Sequence, residues 1–195
     1  MNNNKFKKKL IILLKTFFIC FFVYAKSFAS ESVKIKDISQ GNENAQIEIL
    51  VYESLTCPHC AAFHKEIYPD LKKDFIEKDL VKIKFKSFPL DIASLNASKI
   101  AYCKNDGKPN ILHFLFYNQD EWVKGETIDQ INSKLKNILN KENFNIDFNK
   151  CLNNEEVENY ILKERIESAK KFEINSTPTL IINDKKFDKP LTYKN

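Results

Sequence analysis

The sequence predicts an α/β fold in which a β-α-β unit is followed by a block of helices and then by a β-hairpin. Three patterns carry this reading. Ile47-Glu48-Ile49-Leu50-Val51-Tyr52 is rich in β-branched and aromatic residues and has the length of a strand. Val81-Lys82-Ile83-Lys84-Phe85 alternates apolar and charged residues, which gives a strand with one buried face. Between them, Ala61 to Lys78 places Phe63, Ile67, Leu71 and Phe75 four apart, one face of a helix. Strand, helix, strand in that order implies two parallel strands joined by a right-handed crossover.

The remaining elements follow along the chain. Residues 1–29 read as a secretory signal peptide: Lys5, Lys7, Lys8 and Lys9 are a basic start, Leu10 to Tyr24 is apolar apart from Lys15 and Thr16, and Ser27-Phe28-Ala29 supplies the small residues of a cleavage site. The apolar run is short and interrupted by Lys15, which disfavours an uncleaved span of roughly 20 residues. Val33 to Ile38 alternates weakly and is expected to be a short first strand, with a turn-like break at Gly41 to Asn44. Phe88-Pro89-Leu90 ends the β-α-β unit. Helices are then expected at Ser94 to Tyr102, at Ile111 to Trp122, around Ile128, Ile131, Leu135 and Ile138, and at Glu155 to Phe172. Thr179 to Ile182 returns to strand, and Asn183-Asp184 suits a tight turn into Lys185-Lys186-Phe187.

The 195-residue chain has 31 basic and 26 acidic residues, a net charge of +5. The leader holds six of the basic residues and no acid, so its removal leaves 25 against 26 and a charge of −1. The basicity therefore belongs to the leader, and nothing electrostatic favours a nucleic-acid partner. Cys20 leaves with the leader, and five cysteines become four, an even number in an exported chain. About 166 residues then remain, enough for one domain with a core.

Cys57-Pro58-His59-Cys60 lies where the first long strand hands over to the helix. A thiol in the first turn of a helix faces unpaired N–H groups and the positive end of the helix dipole. Both favour thiolate, so Cys57 should be acidic and reactive near neutral pH. The i, i+3 spacing lets Cys57 and Cys60 bridge. Pro58 suits the first helical position, where its missing N–H loses nothing. A structural zinc site needs a second ligand pair at short spacing, and Cys103 and Cys151 stand alone, so redox chemistry is the stronger reading. No cofactor and no metal are expected: the chain has no glycine-rich phosphate loop, Ser/His/Asp order or paired-carboxylate spacing. His64 and His113 are expected to pack at or near the surface, and Phe114, Phe116, Tyr117 and Trp122 to belong to the core.

These features together resemble the DsbA-like thiol–disulfide oxidoreductases of the bacterial periplasm. Three of them carry the resemblance: Cys57-Pro58-His59-Cys60 at a strand-to-helix junction, the helical block, and Thr177-Pro178-Thr179 before the last hairpin. The resemblance implies a thioredoxin fold with an inserted helical domain, with residues 30–90 and 173–195 forming the thioredoxin-like part and 91–172 the insertion. It implies that Cys57 is the nucleophile, Cys60 the resolving thiol, and His59 a donor or partial positive charge near the Cys57 thiolate. It places Pro178 as a cis-proline beside the disulfide, with Thr177 and Pro178 offering a backbone edge to a peptide. Export, the even count and some relatives favour a structural disulfide between Cys103 and Cys151; two buried free thiols are the alternative.

The implied function is periplasmic donation of the Cys57–Cys60 disulfide to reduced exported polypeptides, with recycling by a membrane quinone-linked thiol oxidase. An isomerase or reductase, or a copper- or zinc-binding protein using the same thiols, are the alternatives. Four departures from the pattern stand out. Val51 occupies the position where many relatives carry a glutamate, and Glu53 lies two residues on. Thr177 stands where the best-known oxidase of the family has valine. No helix is readable after the hairpin. The segment before the main strand is too short for the dimerisation module of the isomerase branch, so a monomer is expected.

Overall fold

A computed structural model of the protein describes residues 34–194. The expected signal peptide lies outside the described residues. The chain forms a five-stranded sheet in the order β1-β3-β2-β4-β5. β1 is Ile38–Gly41, β2 Ile47–Glu53, β3 Val81–Ser87, β4 Thr179–Ile182 and β5 Lys185–Lys186. β2 runs parallel to β3, while β1 on β3, β4 on β2 and β5 on β4 are antiparallel. Val51, Ile83 and Phe85 share one face of the central pair and are almost fully buried.

The first strand begins where it was expected to end. Residues 34–37 have no strand pairing, and β1 runs from Ile38 to Gly41 against Phe85 to Lys82. Gly41 belongs to the strand end because its φ is +107° and a Cβ there would collide with the Val81 carbonyl. The hairpin at the other edge turns on Asn183 and Asp184, both at positive φ (46° and 63°), as a two-residue turn of this kind requires.

The helix after β2, α1, is continuous through Pro58–Ala62, Phe63–Ile67, Tyr68–Leu71 and Lys72–Ile76. Two of its turns, Phe63–Ile67 and Lys72–Ile76, are widened to π-helical pitch. Pro69 accounts for the first: it cannot donate, and its ring crowds the preceding turn. Tyr68 N–H bonds back to the Phe63 carbonyl. The His64 carbonyl, which Pro69 cannot serve, accepts instead from the Tyr117 hydroxyl at 3.1 Å. The wide turns also change which residues face inward. Phe63 is buried, but Ile67 and Leu71 are only half-buried and Phe75 is 37 % exposed, while His64, Tyr68 and Ile76 are buried. The four-apart stripe read from the sequence is thus not the buried stripe.

Between β3 and β4 stand α2 (Ile92–Ala101), α3 (Asn110–Tyr117), α4 (Gln119–Trp122), α5 (Ile128–Lys141), α6 (Phe148–Leu152) and α7 (Glu155–Phe172). The single helix expected at Ile111 to Trp122 is two, broken at Asn118, whose side-chain amide donates to the Phe114 carbonyl at 2.8 Å. α6 was not anticipated; five residues are too few for a periodic pattern. Side-chain caps start α2 (Asp91), α5 (Thr127), α6 (Asp147) and α7 (Asn154). Trp122, Phe116, Leu115 and Leu135 are fully buried among these helices, each contributing about 1.5–3 kcal/mol. Tyr117, by contrast, is 47 % exposed. Cys103, just past α2, and Cys151 in α6 are joined in a disulfide with Cα atoms 5.2 Å apart. A polar cluster ties α7 to the sheet: Lys86 of β3 donates to Asp37 at 2.7 Å and to Glu164 at 2.6 Å, and Tyr160 donates to Asp37 at 2.6 Å. Among the described residues no helix is long and apolar enough to cross a membrane.

Candidate active site

β2 ends at Glu53, and the four residues that follow turn the chain into α1. This turn is held from the helical side. Ser94 in the first turn of α2 accepts from the Leu55 N–H at 2.9 Å and from the Ser54 hydroxyl at 2.8 Å. Asp91, the cap of α2, accepts from the Thr56 hydroxyl at 2.7 Å. Gln119 in α4 donates to the Leu55 carbonyl at 2.8 Å and to the Cys57 carbonyl at 3.0 Å. Gln119 and Ser94 are buried, so these bonds are shielded from competing water. None of these residues belongs to a recognisable motif, and the sequence reading missed all of them.

Cys57 caps α1 and Pro58 takes its first position. Both cysteines are reduced, with Cys57 8 % exposed and Cys60 0 % exposed. The two thiols differ sharply in acidity. The Cys57 thiol is pulled down to about 5, first by a hydrogen bond from the Cys60 thiol, then against its own burial by the Thr177 side chain and the backbone N–H groups of Cys60 and His59. Cys60 is pushed far up by burial, by that same bond to Cys57 and by the charges of Glu53 and Cys57. The His59 side chain is exposed, and the His59 backbone N–H is one of the groups that lower the Cys57 thiol.

The Thr177–Pro178 bond is cis. Thr177 stands against the thiol, and the Cys57 Sγ donates to its carbonyl at 3.3 Å. The Thr177 hydroxyl is buried without a partner while Cys57 is a thiol, so it is free to donate once the sulfur ionises.

A buried polar chain starts at Glu53, whose charge acts on Cys60. Glu53 is 2 % exposed, and burial, then the nearby Cys57 charge, raises its carboxyl well above the usual range. Its Oε2 is 2.7 Å from Nε2 of His64, and Nδ1 of His64 is 2.9 Å from Nδ1 of His113. His64 is 0 % exposed, which overturns the expectation of a surface or half-buried packing role. Burial lowers both imidazoles to about 3. The displaced carboxylate noted from the sequence is therefore buried, within electrostatic reach of both thiols. Among the described residues no three His, Cys, Asp or Glu side chains come together as metal ligands.

The fold and this unequal thiol pair are those of the thioredoxin class. The chain belongs to the thioredoxin family, whose model, described as Thioredoxin, matches residues 33–195. It is 27 % identical to α-DsbA1 of Wolbachia pipientis, whose crystal structure superposes with a TM-score of 0.67 over 81 % of this chain and 80 % of that one. A protein-disulfide isomerase from Novosphingobium aromaticivorans gives a TM-score of 0.72 at 18 % identity, over 82 % of this chain and 93 % of that one, which shows the shared fold. Among curated relatives, a protein of Rickettsia conorii named as a protein-disulfide oxidoreductase is 25 % identical over 81 % of this chain. The chain spans 59 % of that relative's length. Disulfide bond formation protein D of Bacillus subtilis is 26 % identical over 74 % of this chain and 67 % of its own.

Proposed function

We propose that this protein is a periplasmic thiol–disulfide oxidoreductase that donates the Cys57–Cys60 disulfide to reduced exported polypeptides. The observation that carries the reading is the unequal acidity of the two thiols: Cys57 at about 5 beside a Cys60 held protonated by burial. A stabilised Cys57 thiolate favours the reduced protein, which makes the disulfide a strong oxidant, and an acidic thiol is also a good leaving group.

A substrate thiolate attacks the Cys57 sulfur; the substrate–Cys57 bond forms and the Cys57–Cys60 bond breaks. Cys60 leaves as a thiolate and takes a proton from Glu53, whose raised carboxyl holds one. A second substrate thiolate attacks the substrate sulfur of the mixed disulfide and releases Cys57 as a thiolate. The substrate loses two electrons and the protein gains them. In recycling, Cys57 attacks the disulfide of a membrane quinone-linked thiol oxidase. Cys60 then gives its proton to Glu53 and attacks Cys57, releasing the partner's thiolate.

The Thr177 backbone beside Cys57 suits an extended peptide. Leu90 and Ile92, 52 % and 58 % exposed, flank Asp91, which holds the residue next to Cys57, and offer apolar contact to an unfolded chain. The protein acts as a monomer after removal of residues 1–29, with 91–172 as an insertion in the thioredoxin-like domain. Equilibration with glutathione tests the function. A reduction potential near −120 mV is expected of a disulfide donor, and one near about −270 mV would replace the oxidase reading with a reductase.

A further inference from the structure

The polar chain that starts at Glu53 does not stop at the carboxylate. We propose that His64 and His113 are proton-relay residues that carry a proton from Glu53 to the cavity that His113 lines, leaving the carboxylate that takes the Cys60 proton. This rests on the oxidoreductase reading above and adds to it a route and a direction.

Geometry carries the proposal. Each ring nitrogen of His64 has one partner, Glu53 on one side at 2.7 Å and His113 on the other at 2.9 Å. Two proton arrangements satisfy both contacts. In one, a carboxylate accepts from His64 Nε2–H, His64 Nδ1 accepts from His113 Nδ1–H, and His113 Nε2 is bare. In the other, a carboxylic acid donates to His64 Nε2, His64 Nδ1–H donates to His113 Nδ1, and His113 Nε2 carries a proton. The second arrangement differs from the first by one proton, so three short transfers turn the second into the first, release a proton at His113 Nε2 and leave Glu53 as the carboxylate that takes the proton of Cys60. No atom moves far, and both rings end neutral. His113 Nε2 is buried with no protein partner, and Glu53 Oε1, the oxygen not used by His64, is likewise unpartnered. Both end atoms of the chain are thus buried and unpartnered, while the atoms between them are paired.

The surroundings suit conduction in place and not side-chain movement. His64 stacks on Phe116 with ring centroids 4.1 Å apart and an interplanar angle of 15°. His113 is held by Tyr68 at 4.5 Å and by Phe85 at 5.1 Å. The groups facing the pair are the carboxyl of Glu53 from β2, the phenols of Tyr68 and Tyr117 from α1 and α3, and the Lys72 charge, which together with His64 acts on His113. A free imidazolium is disfavoured there by burial and by Lys72, which favours transfer through neutral rings. His113 forms part of the wall of a cavity of about 590 Å³ that Gln40, Tyr68, Lys72, Lys108 and Tyr117 also line.

The route answers a need of the mechanism. While a mixed disulfide sits on Cys57, the partner covers the exposed side of the thiol pair, and Cys60 is 0 % exposed. Glu53 must be a carboxylate to take its proton, and the proton that Glu53 holds then needs a path that does not cross that face.

The step to measure is resolution. The purified protein is converted to a mixed disulfide with glutathione at Cys57, and glutathione release by Cys60 is followed against pH. His113→Ala is expected to slow release by about a hundredfold. Imidazole is expected to restore it saturably, and N-methylimidazole, which has one ring nitrogen blocked, is not. Release at the wild-type rate, or equal rescue by both compounds, would overturn the relay. A proton inventory on the wild-type protein in mixtures of light and heavy water is independent of whether the variant folds. A bowed dependence is expected for several protons moving together, and a straight line overturns the proposal. A wild-type protein that neither forms nor resolves the mixed disulfide defeats the oxidoreductase reading itself; normal wild-type turnover with an unaffected variant defeats the relay alone.

Discussion

The side-chain amide of Gln119 donates to the backbone carbonyl of Cys57 at 3.0 Å, so a helix outside the β-α-β unit grips the reactive residue by its main chain. The same amide serves Leu55 at 2.8 Å. Gln119→Leu keeps the volume and removes both donors. The protein is expected to lose about 2 kcal/mol or more, since buried acceptors left without partners are costly. Urea unfolding measures this. A change within about 0.5 kcal/mol, the range of ordinary surface substitutions, would contradict the role given to Gln119.

Thr177 lowers the Cys57 thiol through its side chain. Thr177→Val removes the hydroxyl with little change in shape and is expected to make that thiol less acidic. Thiolate, and with it the rate of alkylation, is lost as pH falls through the folded value, about 5 in the wild type. The midpoint of the alkylation profile of the reduced variant therefore moves to higher pH. An unmoved midpoint would remove Thr177 from the account of Cys57 acidity.

Glu53 gives a stability that depends on pH with a definite sign. Its carboxyl is raised in the folded state above the ordinary 4.5. Between those two values the folded protein holds a proton that the unfolded chain has lost, so stability falls as pH rises through the folded value. Glu53→Gln abolishes this slope. The comparison is made on oxidised protein, where Cys57 and Cys60 do not titrate. Parallel stability curves for variant and wild type between pH 5 and pH 9 would be inconsistent with a raised Glu53.

The Cys103–Cys151 disulfide closes a loop with a sequence separation of 48. Replacing both cysteines by alanine is expected to cost about 4 kcal/mol in the chain-entropy treatment. Urea denaturation of oxidised protein reads the loss, with Cys57 and Cys60 unaltered. A loss under about 1 kcal/mol would mean that packing of α2 and α6 already restrains this loop in the unfolded reference.

The strands and the long helices were readable because their signals are local and periodic. β2 and β4 begin and end where composition placed them, and so does α7, framed by Asn154 and by Glu173 at a φ of 52°. β1 was misplaced because Gly41 was read as a breaker, whereas close approach to Val81 demands glycine inside the strand. Cys57 and Cys60 could be singled out because two thiols three apart at a helix start are rare in any other context. Ser94, Asp91, Gln119, His64 and His113 could not. They converge only through tertiary packing, from separations of 11 between Glu53 and His64 to 64 between Leu55 and Gln119. A buried histidine also looks no different, as a letter in a helix, from one that faces water. The inward turn of His64 was hidden further by the π-helical turn at Phe63–Ile67, which breaks the four-apart rule by which its face was judged.

That wide turn decides where α1 can change in length. A regular helix advances about 100° per residue. A π-helical turn holds about one residue more than an α-helical one, so loss of one residue within 63–67 would let the turn relax to ordinary pitch and leave Cys60 at the start and Tyr68 beyond it facing their present neighbours. A residue lost from a regular turn would instead rotate everything on one side of the cut by about a quarter-turn against the other. Across homologous chains, a one-residue difference in the length of this helix should therefore fall at its wide turns.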